Sequence, residues 1–476
     1  MGAYELKKRI LSYGYTCEII DWFTHWSHRD LKLIINKFFA GTENPVIAIS
    51  TPFDHKDLNA IEDVLIWAKN KFTNLKIIHG GARTFNRDYQ SLADVFFLGR
   101  SMQMFDDWLS KKDLSKYTIN TNPLVLVNHN FNQNVDNPVL PIIQDSDCLT
   151  KNDILGFEVG VGCKFNCTFC NYELRNVKIT QLIDPYYLKQ YFDMAYNKYG
   201  VTEYFTSDDT INETDEKLEI IAEAMSGLNF KPRITSFARL DLITSRKAQQ
   251  KLLKQIQFRA LYFGIESFNA DASKTIRKKT GLGNIYETLE YIRDNCPDTF
   301  TVGSLIIGLN KDNLNSIKSS LDKVVAEKLL TSVQIYALNI ANAHNATDSY
   351  YLSDLDKNPE KFGYKIPNYS SSNKDLFIHD LHWESDWTNH KEALQMVDDL
   401  ISIYNKKILI MNHFEWTGFY AMGLIKNKNP ITKEILKSRA YSISTQLKQN
   451  YINQKLNYFG LKGTIAQLVE QSVDNA

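Results

Sequence analysis

This sequence predicts a multidomain α/β protein, and three observations carry that prediction. At 476 residues the chain is long enough for two or three domains. Hydrophobic residues make up 43% of it, enough to bury ordinary cores. Short apolar runs also alternate with amphipathic stretches in two separate regions, as strands alternate with helices in parallel sheets. The 55 basic and 55 acidic side chains cancel, so no global positive field draws the chain to a phosphate backbone, and nucleic acid gains no support as a partner. The first residues lack an apolar core, and no apolar run approaches the roughly 18–20 residues that span a bilayer, so the expectation is a cytoplasmic protein without a membrane partner.

Residues 1–105 form the first α/β region. Leu6, Ile10 and Leu11 at helical spacing, ended by Gly14, predict a helix over 4–13. A strand over 17–20, a helix over 31–39, a strand over 46–49, a helix over 58–72 and strands over 75–78 and 95–98 follow. Ser50-Thr51, Gly80-Gly81 and Gly99 each come directly after a strand, where open α/β sheets place their ligand crevice. Residues 106–154, rich in Asn, Asp and Ser with Pro123, Pro138 and Pro141, read as an irregular connector. Over 155–345 a strand precedes a cysteine loop, and further strands at 204–206, 233–236, 260–264, 301–307 and 332–338 each follow a helical stretch. Six such units predict a partial (β/α)6 barrel, with its chemistry on the loops at the carboxyl ends of the strands. Residues 346–476 turn polar and then mainly helical, over 392–404 and 431–451, as a cap that shapes substrate access.

Half of the six cysteines fall in Cys163-Lys-Phe-Asn-Cys167-Thr-Phe-Cys170, a C-x3-C-x2-C loop. Three thiolates are one fewer than the usual four for a cubic iron-sulfur cluster, which leaves one iron open to a ligand that is not protein. A structural zinc site fills four positions, and no second Cys pair lies nearby to complete one. Cys17, Cys148 and Cys296 are far apart in sequence and read as buried small hydrophobes. His379 and His382, near Trp383, His390 and Trp416, read as packing groups, with a metal site as the alternative.

Together with Phe169 before the last cysteine, Cys163, Cys167 and Cys170 resemble the signature of the radical S-adenosylmethionine (SAM) superfamily. The resemblance implies a [4Fe-4S] cluster on these three residues, SAM chelated to the open iron, and reductive cleavage of SAM to a 5'-deoxyadenosyl radical that abstracts hydrogen from a substrate. It also implies SAM contacts beyond Phe169. Asp208 and Asp209, in the loop after the second barrel strand, would reach the methionine amino group, with a helix cap and turn as the alternative. Arg239 would hold the SAM carboxylate or the substrate, or form an ordinary ion pair. Glu266 and Ser267, in Gly264-Ile-Glu-Ser267, resemble the motif beside the SAM ribose. Gly308, in Gly303-Ser-Leu-Ile-Ile-Gly308, resembles the fifth-strand segment that passes close to adenine.

The first region, through Gly14, Asp21, Ser50, Gly80-Gly81, Asp94 and Gly99, resembles the cobalamin-binding domain that precedes the barrel in one large class of these enzymes. On that resemblance Ser50, Thr51, Gly80, Gly81 and Gly99 line a cobalamin crevice in a flavodoxin- or Rossmann-like domain that lacks its first strand. The alternative is a flavodoxin-like domain that holds no cofactor. With cobalamin, the resemblance implies methyl transfer to carbon. Without it, the same radical would drive rearrangement, cyclisation or oxidation, and a third reading is an iron-sulfur redox sensor without catalysis. The expected partners are a small-molecule or peptide substrate and an external electron donor such as flavodoxin or ferredoxin.

Overall fold

The computed structural model of the protein describes residues 2–50, 61–80, 92–99, 102–127, 137–172, 174–179, 181–278, 282–343, 352–367, 378–380, 382–412, 415, 418–420, 422–425 and 433–461. These fall into two units, one made of residues 2–136, 141–149 and 442–476 and the other chiefly of residues 150–441.

The N-terminal unit is built on strands β1 (Val46–Ser50), β2 (Lys76–Gly80), β3 (Val95–Leu98), β4 (Thr118–Thr121) and β5 (Leu124–Val127). They lie in the order β1-β2-β3-β5-β4, parallel from β1 to β5, with β4 antiparallel at the edge. The side-chain alternation of the strands puts Ile78, Val95 and Leu126 on one face, where they bury against Met104 and Phe105 of the helix Met102–Leu109. The helices Gly2–Ser12, His28–Phe38 and Glu62–Lys71 match the periodic segments of the sequence. Ser27 caps the second of these, accepting a hydrogen bond from the Asp30 amide at 3.0 Å.

Three sequence expectations fail in this unit. Residues 17–20 are not a strand. The Tyr451 phenol, on the helix Lys433–Tyr458, donates to the Ile19 carbonyl at 3.1 Å and accepts from the Asp21 amide at 3.0 Å. One side chain thus satisfies backbone groups that a neighbouring strand would otherwise take. The region 106–154 is not irregular throughout, because β4 and β5 complete the sheet there. Four-residue strands beside Asn122-Pro123 are too short for periodicity to mark, and Leu124–Val127 is a continuous apolar run buried between neighbours. Residues 442 onward, expected in a cap over the barrel, belong to this unit instead. Lys455 carries them into its core, reaching Glu18 at 2.7 Å and the Ser146 carbonyl at 2.6 Å. Beside it Lys7 and Asp147 form a fully buried ion pair at 2.6 Å.

The second unit is the expected partial barrel. Its strands are β6 (Ile154–Phe157), β7 (Glu203–Thr206), β8 (Arg233–Ala238), β9 (Ala260–Glu266), β10 (Phe300–Ile307) and β11 (Ser332–Ala337). A short antiparallel pair, β12 (Ala341–Ala343) with β13 (Ile378–Asp380), and a two-residue strand β14 (Leu409–Ile410) follow. Strands β6 to β11 are neighbours in sequence order and all parallel, and β14 adds a seventh beyond β11. Tyr204 packs on Phe192 of the helix Pro185–Tyr199, with ring centroids 4.6 Å apart, so the next residue, Phe205, turns to the opposite, inner face. There Phe205, Phe237 and Tyr262 stand in a row, with successive centroids 6.0 and 5.1 Å apart. The amino ends of the strands are closed by Tyr420, whose carbonyl accepts from Arg259 at 3.3 Å and whose hydroxyl lies 3.0 Å from Ser332. Tyr420, from the region expected to cap the barrel, thus packs at the amino ends of β9 and β11. Among the described residues no helix is long and apolar enough to cross a membrane.

Candidate functional site

The cysteine loop leaves β6 at the carboxyl edge of the sheet. Phe157, fully buried against Phe192 and Tyr204, fixes the end of the strand. Beyond it the Val159 and Gly160 amides donate to the two oxygens of Asp208, at 2.8 and 3.0 Å. Asp208 is itself paired with Lys217 at 2.7 Å, and both side chains are fully buried. Burial works against the Lys217 charge, but the Asp208 carboxylate outweighs it and holds the pKa above its ordinary value. A left-handed backbone at Gly162, with φ at +103°, then turns the chain into the loop.

Backbone bonds from several segments hold the loop. The Cys163 amide donates to the Leu174 carbonyl at 3.0 Å, and the Val177 amide to the Cys163 carbonyl at 3.0 Å. Thr168 donates to the Ile276 carbonyl and accepts from the Leu355 amide, at 3.3 and 2.9 Å. Lys164 donates through its amide to Glu213 at 3.1 Å. Burial pushes the Cys163 thiol up to about 12 and the Cys170 thiol up to about 11, so neither ionises near neutral pH without a cation. A third, buried thiol, Cys167, already accepts an Arg239 Nη1–H at 3.4 Å. Three soft donors in a half-buried loop, one with a cationic hydrogen-bond donor aimed at its sulfur, suit an iron-sulfur cluster. Among the described residues no three His, Cys, Asp or Glu side chains converge on a single ion. A cubane binds each thiolate to a different iron, so its ligands need not converge.

The other expected contacts divide. Asp209 is exposed at the loop mouth, and its charge acts on both Cys163 and Cys170. Its neighbour Asp208 is buried and tethers the β6 loop, bonded to the Val159 and Gly160 amides and to Lys217. Glu266 ends β9 at a bulge, with φ at +64°, and is 6% exposed. It pairs with Lys278 at 2.8 Å and accepts from Ser304 at 3.3 Å. The same Lys278 ammonium lies 5.6 Å from the centre of the Phe169 ring, which brings the ribose motif and the cysteine loop together. Glu266 is thus held in a buried ion pair at the carboxyl end of β9.

Ser267, Arg239 and Gly308 are each engaged within the chain. Ser267 is buried, bonding through its hydroxyl to Asp312 and to the Asn269 amide, so it shapes the turn after β9. Two nitrogens of the Arg239 fork are taken by Asp241, at 3.0 and 2.8 Å, the ordinary ion pair weighed for it as the alternative to a SAM carboxylate. At Gly308, with φ at +103°, an added Cβ would stand 2.4 Å from the Trp383 ring. The close approach foreseen for adenine is made by an indole of the chain, whose Nε1 donates to the Leu338 carbonyl at 2.9 Å. A tryptophan 75 residues downstream left no local signal at Gly308. Lys278, Asp241 and Phe165 were also missed. Phe165, inside the cysteine motif, was the one sequence could have offered, whereas Lys278 sits in a basic run that reads as solvated surface.

Of the residues expected to line a crevice in the N-terminal unit, Ser50 and Gly80 end β1 and β2 and Gly99 directly follows β3, at the carboxyl edge of three neighbouring parallel strands. Thr51 and Gly81 lie outside the described residues. A Cβ at Gly80 would meet Phe97 at an ordinary 3.8 Å. His79, the imidazole on β2, is buried against Phe96 rather than held at the edge. His382 and His390 pack with rings 5.3 Å apart and His390 lies beside Trp383, whereas the His379 side chain is outside the described set.

Residues 157–324 match the family model of the radical SAM superfamily. No curated protein sequence matches the chain. Among solved structures, the radical SAM methyltransferase TsrM from Kitasatospora setae, with cobalamin and a [4Fe-4S] cluster bound, superposes with a TM-score of 0.62 at 9% identity, over 96% of this chain and 96% of that one. The same enzyme with tryptophan substrate and a SAM analogue bound gives 0.62 at 10% identity, over 94% and 96%. The cobalamin-dependent radical SAM enzyme OxsB, with aqua-cobalamin and SAM bound, gives 0.56 at 13% identity, over 95% of this chain and 69% of that one. Residues 157–324 are thus a radical SAM domain, set in a chain with the fold of the cobalamin-dependent radical SAM enzymes.

Proposed function

We propose that the chain is a radical SAM methyltransferase, holding a [4Fe-4S] cluster on Cys163, Cys167 and Cys170 and a cobalamin at the carboxyl edge of β1, β2 and β3. The observation that carries this reading is the anchored three-cysteine loop at the carboxyl edge of a parallel barrel, in a chain whose fold follows a cobalamin-dependent methyltransferase from end to end. When bound, the cluster supplies one electron to the SAM sulfonium, and the corrinoid supplies a methyl group for a substrate carbon.

The chain's own residues hold and orient. The cysteine loop is held in place through Asp208, Leu174 and Ile276, and its three sulfurs would hold the cluster and leave one iron for the SAM amino and carboxylate groups. Asp209, exposed beside Cys163 and Cys170, receives the SAM ammonium. Glu266, braced by Lys278, accepts from the ribose hydroxyls, while Phe169 lies under the same lysine. The inner row Phe205, Phe237 and Tyr262 excludes water from the substrate carbon, where a stray donor would quench a radical. A small-molecule or peptide substrate and an external one-electron donor complete the reaction.

The described strand order of the N-terminal sheet favours a second reading. From β1 through β2 and β3 to β5 the strands step across in one direction, without the reversal that marks ligand crevices in open α/β sheets. On that reading the N-terminal unit holds no cofactor, and the radical drives rearrangement, cyclisation or oxidation. Anaerobic reconstitution with iron, sulfide and added cobalamin separates the two. A corrinoid spectrum that stays with the protein, with 5'-deoxyadenosine and S-adenosylhomocysteine as products, supports methyl transfer. 5'-Deoxyadenosine without retained corrinoid supports the second reading, and absence of a reduced-cubane electron paramagnetic resonance signal overturns both.

A further inference from the structure

Arg239 follows β8, and all three nitrogens of its guanidinium are engaged. Nε and Nη2 form a two-point pair with Asp241, at 3.0 and 2.8 Å. The plane lies over the Phe165 ring, 4.0 Å from its centre. The remaining nitrogen, Nη1, donates to Cys167 Sγ at 3.4 Å. The backbone is pinned as well, since the Arg239 amide donates to Asn212 Oδ1 and its carbonyl accepts from Asn212 Nδ2, both at 2.8 Å. Arg239 and Cys167 are each 8% exposed. With a carboxylate on one edge and a ring beneath, the planar fork cannot swing Nη1 away from the sulfur.

We propose that Arg239 is a positioning residue that sets the reduction potential of the cluster through the Cys167 sulfur. The proposal rests on the radical SAM reading of the cysteine loop. One-electron reduction, from the 2+ to the 1+ state, adds one negative charge to a core already bound by three thiolates. A hydrogen bond to a ligating sulfur and a cation beside it both favour the more negative state, and both are recognised determinants of iron-sulfur potentials. Burial keeps water and salt from screening the effect. Asp241 offsets part of the charge but stands on the far edge of the fork, so the pair presents its positive end to the sulfur.

The test is a potentiometric titration of the anaerobically reconstituted full-length protein, with the reduced cluster followed by electron paramagnetic resonance. In Arg239→Met the midpoint shifts to lower potential at unchanged iron and sulfide content, and in Arg239→Lys it shifts less. An unchanged midpoint in an Arg239→Met protein with a full cluster overturns the proposal. If Arg239→Met does not retain a cluster, pulsed resonance on the reduced protein labelled with ¹⁵N-arginine replaces it. A nitrogen hyperfine coupling present in the native protein and lost in Arg239→Lys supports the assignment, and a native spectrum without it overturns the assignment. Wild-type protein that yields no cubane signal refutes the radical SAM reading itself, an outcome distinct from either of these.

Discussion

Both units of this protein bury ion pairs, but they use them differently. In the N-terminal unit Lys7–Asp147 and Lys455–Glu18 join helices and loops around a sheet, far in sequence from the strand ends Ser50, Gly80 and Gly99. In the barrel Lys217–Asp208 and Lys278–Glu266 sit at the carboxyl ends of the strands and brace the loop that carries the cysteines. A buried pair contributes little net stability for its desolvation cost, so where it stands is informative. In one unit such pairs fasten the chain together, and in the other they hold chemistry in place.

Cysteine replacements test this contrast with the largest effect. Changing Cys163, Cys167 or Cys170 to Ala takes 5'-deoxyadenosine formation to background and strips cluster iron, whereas Cys17→Ala in the N-terminal unit leaves both unchanged; iron analysis and product chromatography read the difference. Next come the ion pairs themselves. Asp208→Asn and Asp147→Asn each strand a buried lysine at a cost of roughly 3–5 kcal/mol, measured by denaturant unfolding. Only Asp208→Asn also lowers iron incorporation, and equal incorporation in the two would break the comparison.

Glycine replacements sharpen it further. Gly308→Ala meets Trp383 in a left-handed backbone and costs about 1–3 kcal/mol or more, while Gly80→Ala falls within about 0.5 kcal/mol by thermal melting. A Gly80→Ala protein of native stability that no longer retains corrinoid would support a ligand at that edge. The smallest effect concerns Glu203, at the closed end of the barrel. Burial raises its carboxyl to about 6, against the opposing pull of Arg233. Because the folded state binds this proton more tightly than the unfolded one, its contribution to stability is full below about 4.5 and fades as pH rises through 6. Glu203→Gln flattens that part of the stability profile, read by unfolding at several pH values.

The barrel was legible in the sequence because each strand is a separate apolar run followed by an amphipathic helix, and the cysteine loop marked the edge that matters. What escaped was set by tertiary contacts. Leu124–Val127 reads as part of a connector until β3 pairs with it, and 17–20 reads as a strand until Tyr451 claims its backbone. Within the site, the cysteines and Glu266 stood in recognisable motifs. Lys278 and Asp241 became visible only through the residues they pair with. Adjacent aspartates 208 and 209 looked interchangeable in sequence, and only burial separates tether from exposed carboxylate.

The bond from Lys455 to Glu18 spans 437 positions of the chain. Synthesis at roughly 5–20 residues per second separates the emergence of these partners by on the order of tens of seconds. During that interval the amino-terminal segment leaves the ribosome without the helix that satisfies its backbone at Ile19 and Asp21, while every strand of the barrel emerges before that helix does. Vectorial synthesis thus lets the barrel mature first and leaves the segment around Ile19 and Asp21 among the last parts to settle, so a product stalled before that helix would expose this segment to chaperones and proteases.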